Sequence, residues 1–166
     1  MSYHISHIAQ IISAEGIVAN DILIEHLLLD SRKIYSPASS LFFAIKGIRR
    51  DGHQFIPELY KRGIRNFVVS QPIETTIYAE ANFLLVDDTL VALQQLTAYH
   101  RQQFNIPVIG ITGSNGKTIV KEWLYQLLSS EKNIVKSPKS YNSQVGVPLS
   151  VLNMETANEL AIFEAG

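Results

Sequence analysis

Residues 110–118 read GITGSNGKT, and this stretch limits what the chain can fold into more than any other. Gly110, Gly113 and Gly116 recur every third residue, and Lys117 and Thr118 follow. The β-branched run IPVIGIT in front of them has the character of a buried parallel strand. Behind them, Val120 to Leu128 places apolar residues at helical spacing. Strand, glycine-rich turn and helix in that order are the sequence form of a phosphate-binding corner in an α/β protein. Gly113 and Gly116 admit backbone angles closed to other residues and let amides approach an anion with no Cβ in the way. The helix N-terminus adds free amides and about half a positive charge, which favours a polyphosphate. Lys117 would reach the β and γ phosphates, and the Thr118 hydroxyl would ligate a bridging Mg2+. The general pattern G-x-x-x-x-G-K-[ST] asks for glycine where Ile111 stands, so the loop is a variant. The competing reading is a glycine-rich turn that ends by chance in Lys-Thr.

The same alternation runs through the rest of the chain. Ile5, Ile8, Ile11 and Ile12 predict a short helix stopped at Gly16. LFFAI at 41–45 predicts a buried strand, and IKGIRRDGH an exposed turn. A helix is expected over 53–62 with Gly63 at C′, then a strand in IRNFVVS. FLLVDD reads as a further strand, and Thr89 to Phe104 as a helix capped by Asp87 or Asp88. Strands alternating with helices predict an α/β fold with mostly parallel pairing. The change of character near residues 88–105 predicts two domains: 1–87, a linking helix at 88–104, and 105–166. The last is too short for a complete nucleotide-binding α/β domain, and AIFEAG ends in or just after a strand, so the chain reads as a fragment.

Fourteen Lys and Arg against fifteen Asp and Glu give a formal charge of −1, which argues against nucleic acid or an anionic membrane as partner. Any anion site must be local. With no cysteine there are no disulfides, thiolate metal sites or cysteine nucleophiles, and a reducing, cytoplasmic setting is expected. MSYHISHIAQIISAEG lacks the basic start and long apolar run of a signal peptide or membrane span. His4, His7, His26 and His100 show no paired metal spacing and receive no role.

The loop variant G-x-x-G-x-x-G-K-T with its Thr-Gly-Ser-Asn core resembles the ATP loop of the Mur ligase family. DSRKIYSPASSLFFAIKGIRRDGHQFI at 30–56 resembles the uridine-nucleotide segment shared by its two late-acting members, apart from Ser39 or Ser40 where glycine often precedes the LF strand. KSYNSQVGVPLSVL at 139–152 is similar to the Asn-rich segment of the D-alanyl-D-alanine-adding member, and AIFEAG to its magnesium-binding strand end. Ile119 and YNSQVGVP stand where the diaminopimelate- or lysine-adding member has a second Thr and a Thr-Thr-Pro segment.

The resemblance implies a small N-terminal uridine-nucleotide-binding domain followed by the start of a parallel-sheet P-loop ATPase domain. It implies ATP and Mg2+ as cofactors, with Gly113, Ser114, Asn115, Gly116, Lys117 and Thr118 on ATP. Lys117 and Asn142 are the catalytic candidates, and Thr118 and Glu164 the metal candidates. Glu164 would lie close to Thr118 if their strands are neighbours in one parallel sheet. UDP-N-acetylmuramoyl-tripeptide would meet Ser31, Arg32, Lys46, Asp51, Gly52, His53 and Ser143. Each has a plainer reading: Asp30 to Arg32 as an Asx or Ser turn, Asp51 as a helix cap, Asn142 and Ser143 as loop caps. The implied reaction transfers the ATP γ-phosphoryl group to the precursor's carboxylate, and the amine of D-alanyl-D-alanine attacks the acyl phosphate. The dipeptide would arrive on a further C-terminal domain, the fragment alone would be inactive, and the protein would be a monomer. A diaminopimelate- or lysine-adding ligase, a GTPase or small-molecule kinase, and a nucleotide-binding module without ligase chemistry remain the other readings.

Overall fold

A computed structural model describes residues 1–166 apart from residues 17, 33, 35, 48 and 49. Lys33 and Tyr35 of the expected uridine segment, and Ile48 and Arg49 of the turn after it, lie outside the described residues. The chain forms two compact units, Ser2–Leu96 and Thr97–Gly166.

In the first unit, β1 (Tyr3–His4) leads into α1 (Ile5–Ile11) and pairs antiparallel with β2 (Leu23–Ile24). Ile5, Ile8 and Ile12 are buried, as the period of the isoleucines predicts. The helix ends before Gly16: Ser13 takes φ 50°, and the amides of Ser13 and Ala14 bond the carbonyls of Gln10 and Ala9. These two bonds are a Schellman cap, here with serine in the left-handed position. Next come β3 (His26–Leu28), β4 (Ser40–Phe43), α2 (Ile56–Lys61), β5 (Asn66–Val69) and β6 (Asn82–Leu85). They form one parallel sheet in the order β3-β4-β5-β6. Phe42, Phe67 and Phe83 line its core, with Phe67 and Phe83 stacked at 5.1 Å. The expected single helix over 53–62 is a 3-10 turn (Gly52–Phe55) followed by α2. Pro57 has no N–H to return to residue 53, so the regular α-helical ladder cannot extend back past it. Gly63 does occupy C′, at φ 94°.

The division between units falls within α3 (Thr89–Gln102), whose first amides at Leu90 and Val91 donate to the Asp88 carboxylate. The second unit continues with β7 (Val108–Ile111), α4 (Lys117–Leu128), β8 (Ile134–Lys136), α5 (Gly146–Val151) and β9 (Leu160–Glu164). Its sheet is parallel with β9 central, in the order β7-β9-β8. Two sequence expectations fail here. The run expected to be a buried strand is an edge strand, β7, with Val108 exposed, because among the described residues only β9 pairs with it. On α4 the apolar residues Ile119, Val120, Trp123 and Leu127 are exposed, while Lys121 is fully buried.

Candidate functional site

The corner between β7 and α4 carries the phosphate motif. Gly113 and Gly116 hold φ 136° and 77°, so both sit in backbone regions that side chains disfavour, and Gly116 is the N-cap of α4. Residues 112–116 are exposed, and the first-turn amides of α4 have no acceptor within the helix. The Lys117 ammonium folds back onto the Gly113 carbonyl, spanning the loop. That single neutral acceptor leaves the charge available to an anion.

Beneath the loop, parallel register sets Ile111 opposite Glu164. This brings the ends of β7 and β9 together, and the Thr118 hydroxyl donates to Glu164 Oε2 at 3.1 Å. Among the described residues no group of three or more His, Cys, Asp or Glu could hold a metal. Mg2+ does not need one: it commonly takes one or two protein oxygens and completes its shell with phosphate and water. Thr118 and Glu164 supply hard oxygens of that kind, so the residues fit the ion.

Lys121 was missed by the sequence reading. Its Nζ lies 2.8 Å from Glu164 Oε1, both side chains having no exposure. The same ammonium donates to the carbonyls of Ser137, at 2.8 Å, and Lys139. Glu164 Oε1 is buried and accepts no hydrogen bond, so the lysine holds it by charge and not by a directed bond. Ser137, also fully buried, accepts from the Glu164 amide through Oγ at 3.1 Å. The available signal was positional, because Lys121 follows Thr118 by three residues and so shares its helix face.

Asn142 adjoins the end of β9: its carbonyl accepts from the Gly166 amide at 3.0 Å. Ser143 Oγ accepts from the Gly146 amide at 3.1 Å, which is the capping geometry. In the first unit, a cleft of about 480 Å³ opens past the C-terminal ends of β4, β5 and β6, lined by Lys46, Ser70, Gln71, Asp87 and Thr89 among others. Ligands in parallel α/β sheets bind at such strand ends. Lys46 reaches this cleft, and Asp51 is one bond away, accepting from Gln71 Nε2 at 3.2 Å. His53 Nε2 accepts the Ser70 amide at 3.0 Å, which places the ring proton on Nδ1, facing Asp51. The His53 amide, by donating to Asp51, holds that carboxyl below its usual range. Gly52 packs on backbone: a Cβ there would come within 2.8 Å of Ala44 and Ile45. Gly52 and His53 therefore shape the loop and offer no free polar atom of their side chains to the cleft. Ser31 and Arg32 do not line it; Arg32 pairs with Asp30 through an Asx turn and an ion pair of 2.7 Å.

The sequence pattern of the Mur ligase family catalytic domain matches residues 23–101, and that of the Mur ligase middle domain matches residues 111–166. A UDP-N-acetylmuramoyl-tripeptide–D-alanyl-D-alanine ligase from Synechocystis is 40% identical over 147 residues, covering 89% of this chain and 32% of its own length. The ligase of the same name from Escherichia coli is 32% identical across 100% of the chain and 35% of its own length. The chain thus spans about one third of the length of these curated relatives. Among solved structures, MurF from Acinetobacter baumannii superposes with a TM-score of 0.89 at 32% identity, over 100% of this chain and 36% of that one. MurF from Thermotoga maritima in complex with ADP gives 0.71 at 32% identity, over 84% and 31%.

Proposed function

The chain belongs to the Mur ligase family, and we propose that it carries the precursor- and nucleotide-binding part of an ATP-dependent ligase. That ligase joins D-alanyl-D-alanine to UDP-N-acetylmuramoyl-tripeptide in peptidoglycan synthesis. Residues 1–87 are read as the precursor-binding domain, 88–104 as the linking helix, and 105–166 as the beginning of the ATP-binding domain. The observation that carries the reading is the contact of Thr118 with Glu164 directly under a loop whose glycines adopt positive φ.

The chemistry needs an anionic carboxylate to meet an anionic phosphate. The amides of residues 113–118 would receive the ATP phosphates, and the Lys117 ammonium would leave the Gly113 carbonyl for them. Thr118 and Glu164 would hold Mg2+, which when bound neutralises phosphate charge. Asn142, whose carbonyl meets the chain just after β9, would face the reacting phosphate. The γ-phosphoryl group of ATP would pass to the precursor's terminal carboxylate with ADP as the leaving group; the dipeptide amine would then attack the acyl carbon of the acyl phosphate, losing a proton and expelling phosphate to leave an amide. Lys46 and Asp51 border the cleft that would take the uridine diphosphate. No helix among the described residues is long and apolar enough to cross a membrane; a cytoplasmic location and a monomeric state belong to the same proposal.

The test is Lys117→Ala in the intact protein, followed by ADP release in the presence of both substrates. Loss of one preorganised positive contact at a phosphoryl-transfer centre is expected to lower turnover by about 10²-fold or more. Turnover near that of the unaltered protein would overturn the assignment.

A further inference from the structure

A lysine with no exposure is unusual, because burying an ammonium is costly unless it is paired and hydrogen-bonded. Lys121 meets both conditions, through the carbonyls of Ser137 and Lys139 and the carboxylate of Glu164. Glu122 Oε1 lies a further 3.4 Å from the same nitrogen, and its other oxygen receives Lys136. Two lysines therefore face two glutamates, and the cluster around Glu164 sums to no net charge.

That balance bears on the metal site. We propose that Lys121 is a built-in counter-ion for Glu164, which makes divalent-cation binding at Thr118 and Glu164 depend on a nucleotide. The inference rests on the reading of Thr118 and Glu164 as metal-holding groups. A free divalent cation approaching Glu164 meets a carboxylate already neutralised on one oxygen and an ammonium fixed beside it. At short range and away from bulk water, repulsion between the two cations is not screened. The lysine cannot withdraw, since its stem is buried and two carbonyls hold its head. Only the several negative charges of a polyphosphate in the loop tip the balance, so metal and nucleotide enter together. Lys117 contrasts with it: one carbonyl holds it at the surface of the loop, free to turn to a phosphate. Lys121 is thus a positioning residue that acts through Glu164.

The experiment measures Mn2+ binding to the intact protein by electron paramagnetic resonance, with and without ADP, in the unaltered protein, Glu164→Gln, Lys121→Met, Lys121→Gln and Lys121→Met/Glu164→Gln. The unaltered protein is expected to bind Mn2+ tightly only with ADP. The two neutral Lys121 variants should bind Mn2+ without nucleotide about tenfold more tightly or better than the unaltered protein, since one fixed positive charge is gone. The gain should vanish in the double variant. A purely structural role for Lys121 predicts weaker binding in every arm, and folded variants that show no gain would overturn the proposal. If both neutral variants unfold, the unaltered protein decides: nucleotide-free Mn2+ binding that matches the ADP-bound value and is lost in Glu164→Gln overturns it. Failure of the underlying reading looks different, because then ADP gives no heat of binding or Glu164→Gln leaves Mn2+–ADP binding unchanged; either result removes the proposal with it.

Discussion

His100 received no role from its sequence context, yet it is the buried histidine of the second unit, 3% exposed. Its Nε2 donates to the Met154 carbonyl at 3.1 Å, and its ring meets Phe104 edge-on at 4.9 Å. Burial pushes its pKa below the usual 6.5, with the bond to Met154 opposing the shift only in part. The native state therefore keeps this ring neutral at a pH where the unfolded chain protonates it. Stability from this group is complete above about pH 6.5 and is lost as pH falls below it. Denaturant midpoints measured from about pH 7 down to pH 5.5 should fall, and His100→Gln, which keeps a donor for Met154, should flatten that slope. An unchanged slope in the variant would show that other groups govern it. Lys121 escaped notice for a related reason. A lysine in a surface-looking helix reads as solvated, and only the tertiary structure reveals two carbonyls and a carboxylate converging on it.

At the level of elements, the three evenly spaced glycines of the loop turn out to be unlike. Gly113 and Gly116 hold positive φ, whereas Gly110 is ordinary strand, and a Cβ on it would meet nothing within 4 Å. Gly110→Ala should thus change stability by less than about 0.5 kcal/mol, while Gly116→Ala should cost about 1 kcal/mol or more through its left-handed backbone. Thermal or urea unfolding of the pair separates them, and equal effects would contradict the geometry. The strand–loop–helix corner was legible because its apolar run, its glycines and its helical period each point to the same element. Asp88 and Gly63 were legible for the same reason, a cap residue standing at the end of a periodic stretch. The two-residue strands β1 and β2 are too short to show a period, and α5 is six residues with a proline inside. The exposed β7 shows the limit of composition: a β-branched run states that a strand forms, and its neighbours decide how far it is buried.

Across the whole molecule, one parallel sheet ends at a polar cleft of Lys46, Ser70, Gln71 and Asp87 and the other at the glycine loop, and the formal charge of −1 provides no general attraction for an anion. Under the proposed function, recognition would come from local groups: Lys46 with the loop of Asp51 in Ser2–Leu96, and the glycine loop with Lys117 in Thr97–Gly166. Chemically distinct ligands should accordingly order distinct segments. A ligand that binds only the native state stabilises it by about 2.7 kcal/mol at a hundredfold excess over Kd, and amides at its contact slow their exchange by the corresponding factor. Hydrogen exchange with ADP and Mg2+ is expected to protect residues 110–121 and the end of β9, leaving 44–53 and 70–71 unchanged. Uridine diphosphate, tested with the same Mg2+ and carrying the same diphosphate as ADP, should protect 44–53, 70–71 and 87–90 and leave the glycine loop as it was. Because both ligands carry the same charged group, any difference between the two maps must come from the base and from the shape of each site. Identical maps would mean that diphosphate alone is being read, and the assignment of the first unit to a uridine nucleotide would fall.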